Sequence, residues 1–286
     1  MIEQFQHKFT TSFLLWFDNF LLSKGEAFSN KTGSLYYYED PHLHSTFKAY
    51  GSPYKQWVTD SSIENANIPN GVFINGSLSG RSDGVKLDFE NGRALLDHSS
   101  ESLDVTGSFA VKDFNVYHTN ETEDDLIVEK KYTVNSRLPG GPDTAITPYD
   151  QVVPAIFLSS NTLSNKGFAL GGMEETTIRA GAVILAEDSY QLDGVLSIFA
   201  DSHNEAFTRI PMSGHPMNEY ADLKDGSYSY TELVSNINAR HPNDRDFYVE
   251  NVTTSKLADK ARKSLANDLF VGFIDFDIQT HRRRFQ

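Results

Sequence analysis

Residues 3–24 carry Phe5, Phe9, Phe13, Trp16, Phe17, Phe20 and Leu21 at steps of three and four, and this spacing predicts a long N-terminal amphipathic helix. Leu14, Leu15 and Leu22 widen its apolar stripe beyond one face. A helix apolar on more than one side requires cover on more than one side, which constrains everything built around it. Lys24 followed by Gly25 supplies a C-terminal stop with a cation near the negative end of the helix dipole. The cover is either the chain's own remaining domain or a partner subunit. Phe5, Phe9, Phe13 and Trp16 are the interface candidates under the second reading.

The rest of the chain reads as strands first and mixed elements later. Residues 25–70 place Tyr36, Tyr37, Tyr38, Tyr54 and Trp57 among Gly, Ser, Pro and Asn, the texture of an extended loop with short strands. Tyr36, Tyr37, Tyr54 and Trp57 suit an interface that is apolar in the middle and wet at its rim. Residues 71–138 look all-β. Val72-Phe73-Ile74 is a strand, and Val85, Leu87 and Phe89 alternate with Lys86, Asp88 and Glu90. Asn91-Gly92 then predicts a type I′ hairpin turn into Arg93–Leu96. Further strands are expected at Ser108–Val111, Phe114–Tyr117, Leu126–Val128 and Tyr132–Val134. Pro139, Gly140, Gly141, Pro142 and Pro148 mark a linker or long loop over 139–150.

After the linker, Val152–Leu158 and Arg179–Ala186 read as buried strands. Leu192, Val195, Leu196 and Phe199 follow helical spacing behind an Asp188 or Ser189 cap. Phe207–Met212 is expected as a strand. Ser229-Tyr230-Thr231-Glu232 is a capping box before a helix. Phe247–Val252 is expected as a strand and Ser255–Asn267 as a helix. Ile274–Gln279 alternates as a strand with one wet face. The fold class is therefore α+β. A β-rich N-terminal or inserted region (25–145) precedes an α+β oligomerisation domain (146–286) with a mixed sheet and packed helices. The helix of residues 1–24 packs on that domain or on a neighbour.

Chemistry-bearing motifs are sparse. There is no cysteine, which removes disulfides, thiolate nucleophiles and Cys-ligated zinc, and which fits a reducing cytosol. Walker and Gly-x-Gly-x-x-Gly loops are absent. Gly76-Ser77-Leu78-Ser79-Gly80 fails as a nucleophile elbow because Leu78 stands at the nucleophile position, so it reads as a polar loop. His42 and His44, with His203, Glu205 and His215 as remote helpers, lack a spacing that demands a metal. Glu121–Asp125 lacks the alternation of a calcium loop and reads as a solvated hairpin tip. Asp275 and Asp277 share one strand face and read as a wet edge. No cofactor, catalytic residue or metal site is expected. The N-terminus lacks a basic n-region and an unbroken apolar run, so neither a signal peptide nor a membrane span is expected. The sequons at Asn30, Asn75, Asn120 and Asn251 carry little weight without a secretory signal.

The formal charge is −14, from 39 acidic and 25 basic residues, and it disfavours nucleic-acid binding. One basic cluster, Arg282, Arg283 and Arg284 after His281, reads either as a solvated tail or as a tip that docks on an acidic neighbour. The 20 Phe and 13 Tyr exceed what one core needs and leave aromatics for interfaces.

Met1–Phe9, the stretch from Asn75-Gly76 to Gly92-Arg93, Ala110–Tyr117 and Pro148–Pro154 together resemble virion structural proteins of tailed bacteriophages, in particular marine and cyanobacterial phages. The order of elements in the C-terminal half is similar to that of neck and tail-terminator proteins. That resemblance implies a homo-oligomeric ring of six or twelve copies, a connector between the head and the tail. The implied partners are further copies of the chain and other virion proteins (connector, tail tube, sheath or fibre). The genome DNA would pass through without specific binding. It implies localisation in the virion after synthesis in the host cytoplasm, no membrane and no enzyme activity. The β-rich region departs from a minimal terminator. It keeps open a second virion reading, as a fibre-attachment, baseplate or capsid-decoration subunit. A third reading is a carbohydrate-binding module or glycan-active enzyme that stacks sugars on Tyr36, Tyr37, Tyr38, Tyr54 and Trp57.

Overall fold

A computed structural model describes residues 3–41, 43, 46–97, 103–129, 132–134, 151–169, 172–217, 224, 226–240, 247–264 and 268–283. Helix α1 spans Phe5–Gly25. The Gln4 N–H at its start donates to His7 Nδ1 at 3.0 Å. At its end Glu26, not Gly25, takes the left-handed conformation (φ 46°). Gly25 serves packing instead, since a Cβ there would lie 2.5 Å from Ile198 Cδ1.

Eight strands follow in order: β1 (Phe28–Tyr38), β2 (Lys48–Gly51), β3 (Gly71–Ile74), β4 (Ser77–Gly80), β5 (Val85–Asp88), β6 (Arg93–Leu96), β7 (Val105–Lys112) and β8 (Asn115–His118). The first seven form one antiparallel sheet in the order β4-β3-β7-β1-β2-β6-β5. It curls until β3 and β4 lie against β5. Trp57, stacked on Phe109 at 4.3 Å, fills its middle with Tyr50, Phe89 and Leu96. Residues 25–70 therefore contribute a long strand, β1, where mostly loop was expected.

The two-residue hairpin turn expected at Asn91-Gly92 is found at the other Asn-Gly pair. Asn75 and Gly76 both have positive φ (50° and 83°) and join β3 to β4 with Ile74 paired to Ser77. That is the two-residue loop that positive φ angles permit. The segment expected as a polar loop, Ser77–Gly80, is thus strand β4. Between β5 and β6, Asp88 pairs with Arg93, so the loop has four residues and only Gly92 is left-handed. A Cβ on Gly92 would meet the Tyr54 carbonyl at 2.1 Å.

The second half contains α2 (Glu123–Ile127), β9 (Thr133–Val134), β10 (Val152–Val153), β11 (Ala155–Ala169), β12 (Met173–Ala186), α3 (Ser189–Ala200), β13 (Ala206–Phe207), α4 (Tyr230–Arg240), β14 (Phe247–Lys256), α5 (Asp259–Ser264) and β15 (Phe270–Arg283). Leu126-Ile127 is helical where a strand was expected. Thr122 Oγ1 accepts from Asp125 N at 3.2 Å while Thr122 N donates to Asp125 Oδ2 at 3.0 Å, and this reciprocal cap starts a helix. The acidic run is therefore mainly a helix N-terminus, where its charges suit the dipole, and not a hairpin tip. The Phe207–Met212 strand stops at Phe207, with Pro211 unable to donate to a ladder. The helix expected from Ser255 begins only at Asp259, because Ser255 and Lys256 pair with Phe273 and Gly272. Asp188 caps α3 by accepting from Gln191 N at 2.8 Å, and Ser229 Oγ accepts from Glu232 N at 3.2 Å, as their sequences suggest. The linker at 139–150 lies outside the described residues.

The six-stranded sheet has the order β13-β14-β15-β12-β11-β8. Only β8 and β11 run parallel within it. Strand β8 thus leaves the first sheet's neighbourhood and joins the second. The change of sheet falls at Asp113-Phe114, well before the boundary expected near residue 145. Helices α1 and α3 cover one face, with Phe17 stacked on Phe199 at 4.0 Å and edge-on to Phe276. The other sides of α1 are covered too. Leu22 meets Val58, Ile63 and Ala110, and Leu15 meets Ile210 and Ile237. The architecture is α+β, mostly sheet, with an N-terminal helix and a curled sheet.

The loop between β2 and β3 staples the halves together. Gln56 accepts from Val116 N at 2.8 Å and donates to Val116 O at 3.0 Å. Asp60, fully buried, accepts from Asn19 of α1 at 2.7 Å and from the Tyr230 N–H at the start of α4 at 2.9 Å. Lys112 of β7 donates to Asp18 of α1 at 2.6 Å, with both side chains nearly buried.

Candidate functional site

The residues expected at an interface have different fates. Phe5, Phe9, Phe13 and Trp16 are buried in the chain's own core, between α1 and the six-stranded sheet. They are not an interface, because Phe207, Phe247 and Phe276 already supply their cover. Trp57 is only 1 % exposed, and its indole N–H donates to Ser52 Oγ at 3.1 Å. Tyr37 packs on Tyr50, Tyr54 on Phe109, and the Tyr38 hydroxyl accepts from Arg93. Tyr36 is half-buried on β1. Tyr37, Tyr54 and Trp57 serve the curled sheet's core, so the five aromatics do not form one stacking platform.

The basic cluster divides likewise. Arg282 donates to Thr176 Oγ1 at 3.0 Å and Asn165 Oδ1 at 3.2 Å, and its guanidinium lies 4.2 Å from the Phe5 ring centre. It is a structural cation, not a free tip. Arg283 ends β15 in register with Met173. Arg284 lies outside the described residues, as do His42 and His44. Among the described residues no group of three His, Asp or Glu side chains is placed to hold a metal. No described helix is long and apolar enough to cross a membrane.

Two surfaces remain on the second sheet. The first is a cleft of about 790 Å³ at the β11 border. Phe157 and Phe273 line its floor, and Glu121, Glu123, Asp124 and Asp275 contribute carboxylates. His118 stands at its wall, and partial burial pushes its pKa down, so the neutral ring is favoured there. Ser160 Oγ at the mouth accepts from the Gln6 amide at 2.8 Å. An amide cannot take the hydroxyl proton, so this pair does not make an activated nucleophile.

The second surface is the sheet face opposite α1 and α3. Its lower part is covered by α2, but above that the face carries Asp275, Asp277, Gln279, Thr177 and Arg179. Arg179 reaches Asp277 at 3.3 Å, and Asp275 is exposed. Opposite them on β15, Ile274, Phe276 and Ile278 are buried. The alternation expected for Ile274–Gln279 is therefore present, with the wet face toward solvent.

Sequence reasoning missed the buried ionic group of the curled sheet. Arg93 contacts Asp88 and Asp40 at 2.7 Å each, with all three side chains at most 5 % exposed. Burial pushes the Tyr38 hydroxyl up to about 12, so it stays protonated and neutral beside them. Strict alternation would expose Asp88. The carboxylate is inside because Arg93, its partner in the hairpin register, is inside too. No protein-family model matches the chain, and no curated protein matches it.

Proposed function

We propose that the protein is a structural subunit of a tailed-phage virion, assembling as a homo-oligomeric ring of the neck or tail-terminator kind, and a scaffold rather than an enzyme. The observation that carries this reading is the two-faced sheet. Helices α1 and α3 seal one face with aromatic packing, while the upper part of the other face is polar, with Asp275 and Arg179 exposed and Asp277 half-exposed on it. A ring of such sheets with the polar face inward would present carboxylates to a channel. With a chain charge of −14, such a channel lets DNA slide without adhering. With Phe5, Phe9, Phe13 and Trp16 buried in the chain's own core, this reading puts the subunit contacts on the sheet and not on α1.

Native mass spectrometry and particle imaging of the purified chain test the proposal. Closed rings of six or twelve copies with an acidic lumen are expected. A strict monomer at all concentrations, a trimer, or a ring whose lumen is basic or closed would overturn it.

A further inference from the structure

The six-stranded sheet has two open borders. On one, β8 pairs with β11 only as far as His118 opposite Leu158, and the Thr119 N–H closes on the Leu158 carbonyl. Beyond that point no described strand pairs with the outer side of β11. Thr162 through Phe168 are all exposed, with Phe168 at 59 %. On the other border, β13 pairs with β14 only at Phe247 and Tyr248, and Val249 closes on Asn204 and Glu205. Glu250–Lys256 have no outer partner among the described residues. Open edges of this length are templates for strand addition.

The bulges fix which backbone groups point outward. The carbonyls of Pro154 and Leu158 face β8, so even-numbered residues of β11 point out there. The register shift between Ser160 and Thr162 inverts the phase, leaving the amides of Leu163, Asn165 and Gly167 outward. On β14, Val249 points outward, and the shift between Val249 and Asn251 transfers that role to Val252, Thr254 and Lys256.

We infer that the open stretch of β11 in one subunit pairs antiparallel with the open stretch of β14 in the next, joining the sheets of the ring edge to edge. Direction and stagger agree. Strand β14 runs antiparallel to β11 through the intervening β15 and β12, so a rotated copy continues the alternation. The middle of the open β14 stretch, Thr253, is level with Ser159 through Asp275 and Gly181. The middle of the open β11 stretch, Ser164, lies about four ladder positions further along. Spread over four strands, that is about one residue per strand, the stagger of a closed barrel whose strands tilt by about 36°. With the two midpoints opposed, the outward Leu163 meets Thr254 and the outward Asn165 meets Val252. The contact is heterologous, as a ring requires.

The inference rests on the ring reading and is tested by proline at one outward amide on each edge. Proline there removes only a solvent-facing donor, so each subunit keeps its own ladder. Leu163→Pro and Thr254→Pro should each abolish the ring and give monomers with wild-type circular dichroism. Mixed together they should form a one-to-one heterodimer, since one retains a working β14 edge and the other a working β11 edge. Thr254→Pro probes the same seam independently, so a misfolded Leu163→Pro leaves the test decisive. Rings that persist in Thr254→Pro overturn the edge pairing and leave the ring reading standing. A monomeric wild type overturns both. Mutant monomers that fail to form the heterodimer overturn the β11–β14 assignment.

Discussion

Phe17→Ala separates a helix that belongs to its own fold from one held for a partner. Phe17 has no exposed surface. Its ring lies 4.0 Å from Phe199 in a stack, 5.9 Å from Phe13 and 6.2 Å from Phe276 edge-on. Truncation removes the transfer energy of the ring and leaves a void that rigid neighbours on α3 and β15 cannot close. Such substitutions cost about 3–5 kcal/mol, and the lost aromatic pairs account for about 0.5–1.5 kcal/mol each beyond their area. Phe17→Leu, which keeps most of the volume, should cost less than about 1.5 kcal/mol. Urea denaturation followed by circular dichroism reads both, with the midpoint falling and the slope unchanged if the native fold is retained. Subunit mass measured well below the transition should stay at its wild-type value in both variants. A loss under about 1 kcal/mol in Phe17→Ala, or one accompanied by dissociation of otherwise stable subunits, would refute the burial of α1 in its own domain.

Three further outcomes follow from the buried polar groups and the turns. Lys112→Met alone should cost about 3–5 kcal/mol, because Asp18 is left charged and buried, whereas Lys112→Met with Asp18→Leu should recover most of it; a denaturation-based double-mutant cycle checks this. Burial pushes the Glu90 carboxyl up, with nearby Lys112 opposing. A carboxyl whose folded pKa is raised adds stability at low pH that is lost as pH rises through the folded pKa. Glu90→Gln should therefore raise the thermal midpoint at pH 7, with the gain shrinking toward pH 4. At the turns, Gly76→Ala meets open space and should cost about 1 kcal/mol for its positive φ alone. Gly92→Ala should cost clearly more, since its Cβ would collide with the Tyr54 and Lys55 carbonyls, and melting curves of the two variants decide the ranking.

What could be read from sequence divides along physical lines. Periodicity reports burial, so α1, α3 and β15 were legible: Phe17, Phe199 and Ile278 follow the period of the element and lie inside. Periodicity does not report what covers a face. The stripe of Phe5, Phe9, Phe13 and Trp16 suited a partner equally well, and only the placement of Phe207 and Phe247 opposite decides for the chain itself. Turn composition has the same limit. Asn75-Gly76 and Asn91-Gly92 are chemically alike, but the carbonyls of Tyr54 and Lys55 press on Gly92, while nothing lies near Gly76. Short apolar runs are weaker still, because the reciprocal Thr122–Asp125 cap makes Leu126-Ile127 helical against its strand-like composition. With Phe5, Phe9, Phe13, Trp16 and Trp57 taken up by the cores, the proposed contact is made of backbone: the outer edges of β11 and β14. Sequence patterns of side chains do not encode such edges. They arise because β8 stops at His118 and β13 starts only at Ala206, each shorter than the strand it borders. An assembly surface made of main-chain groups is legible only after the register is known.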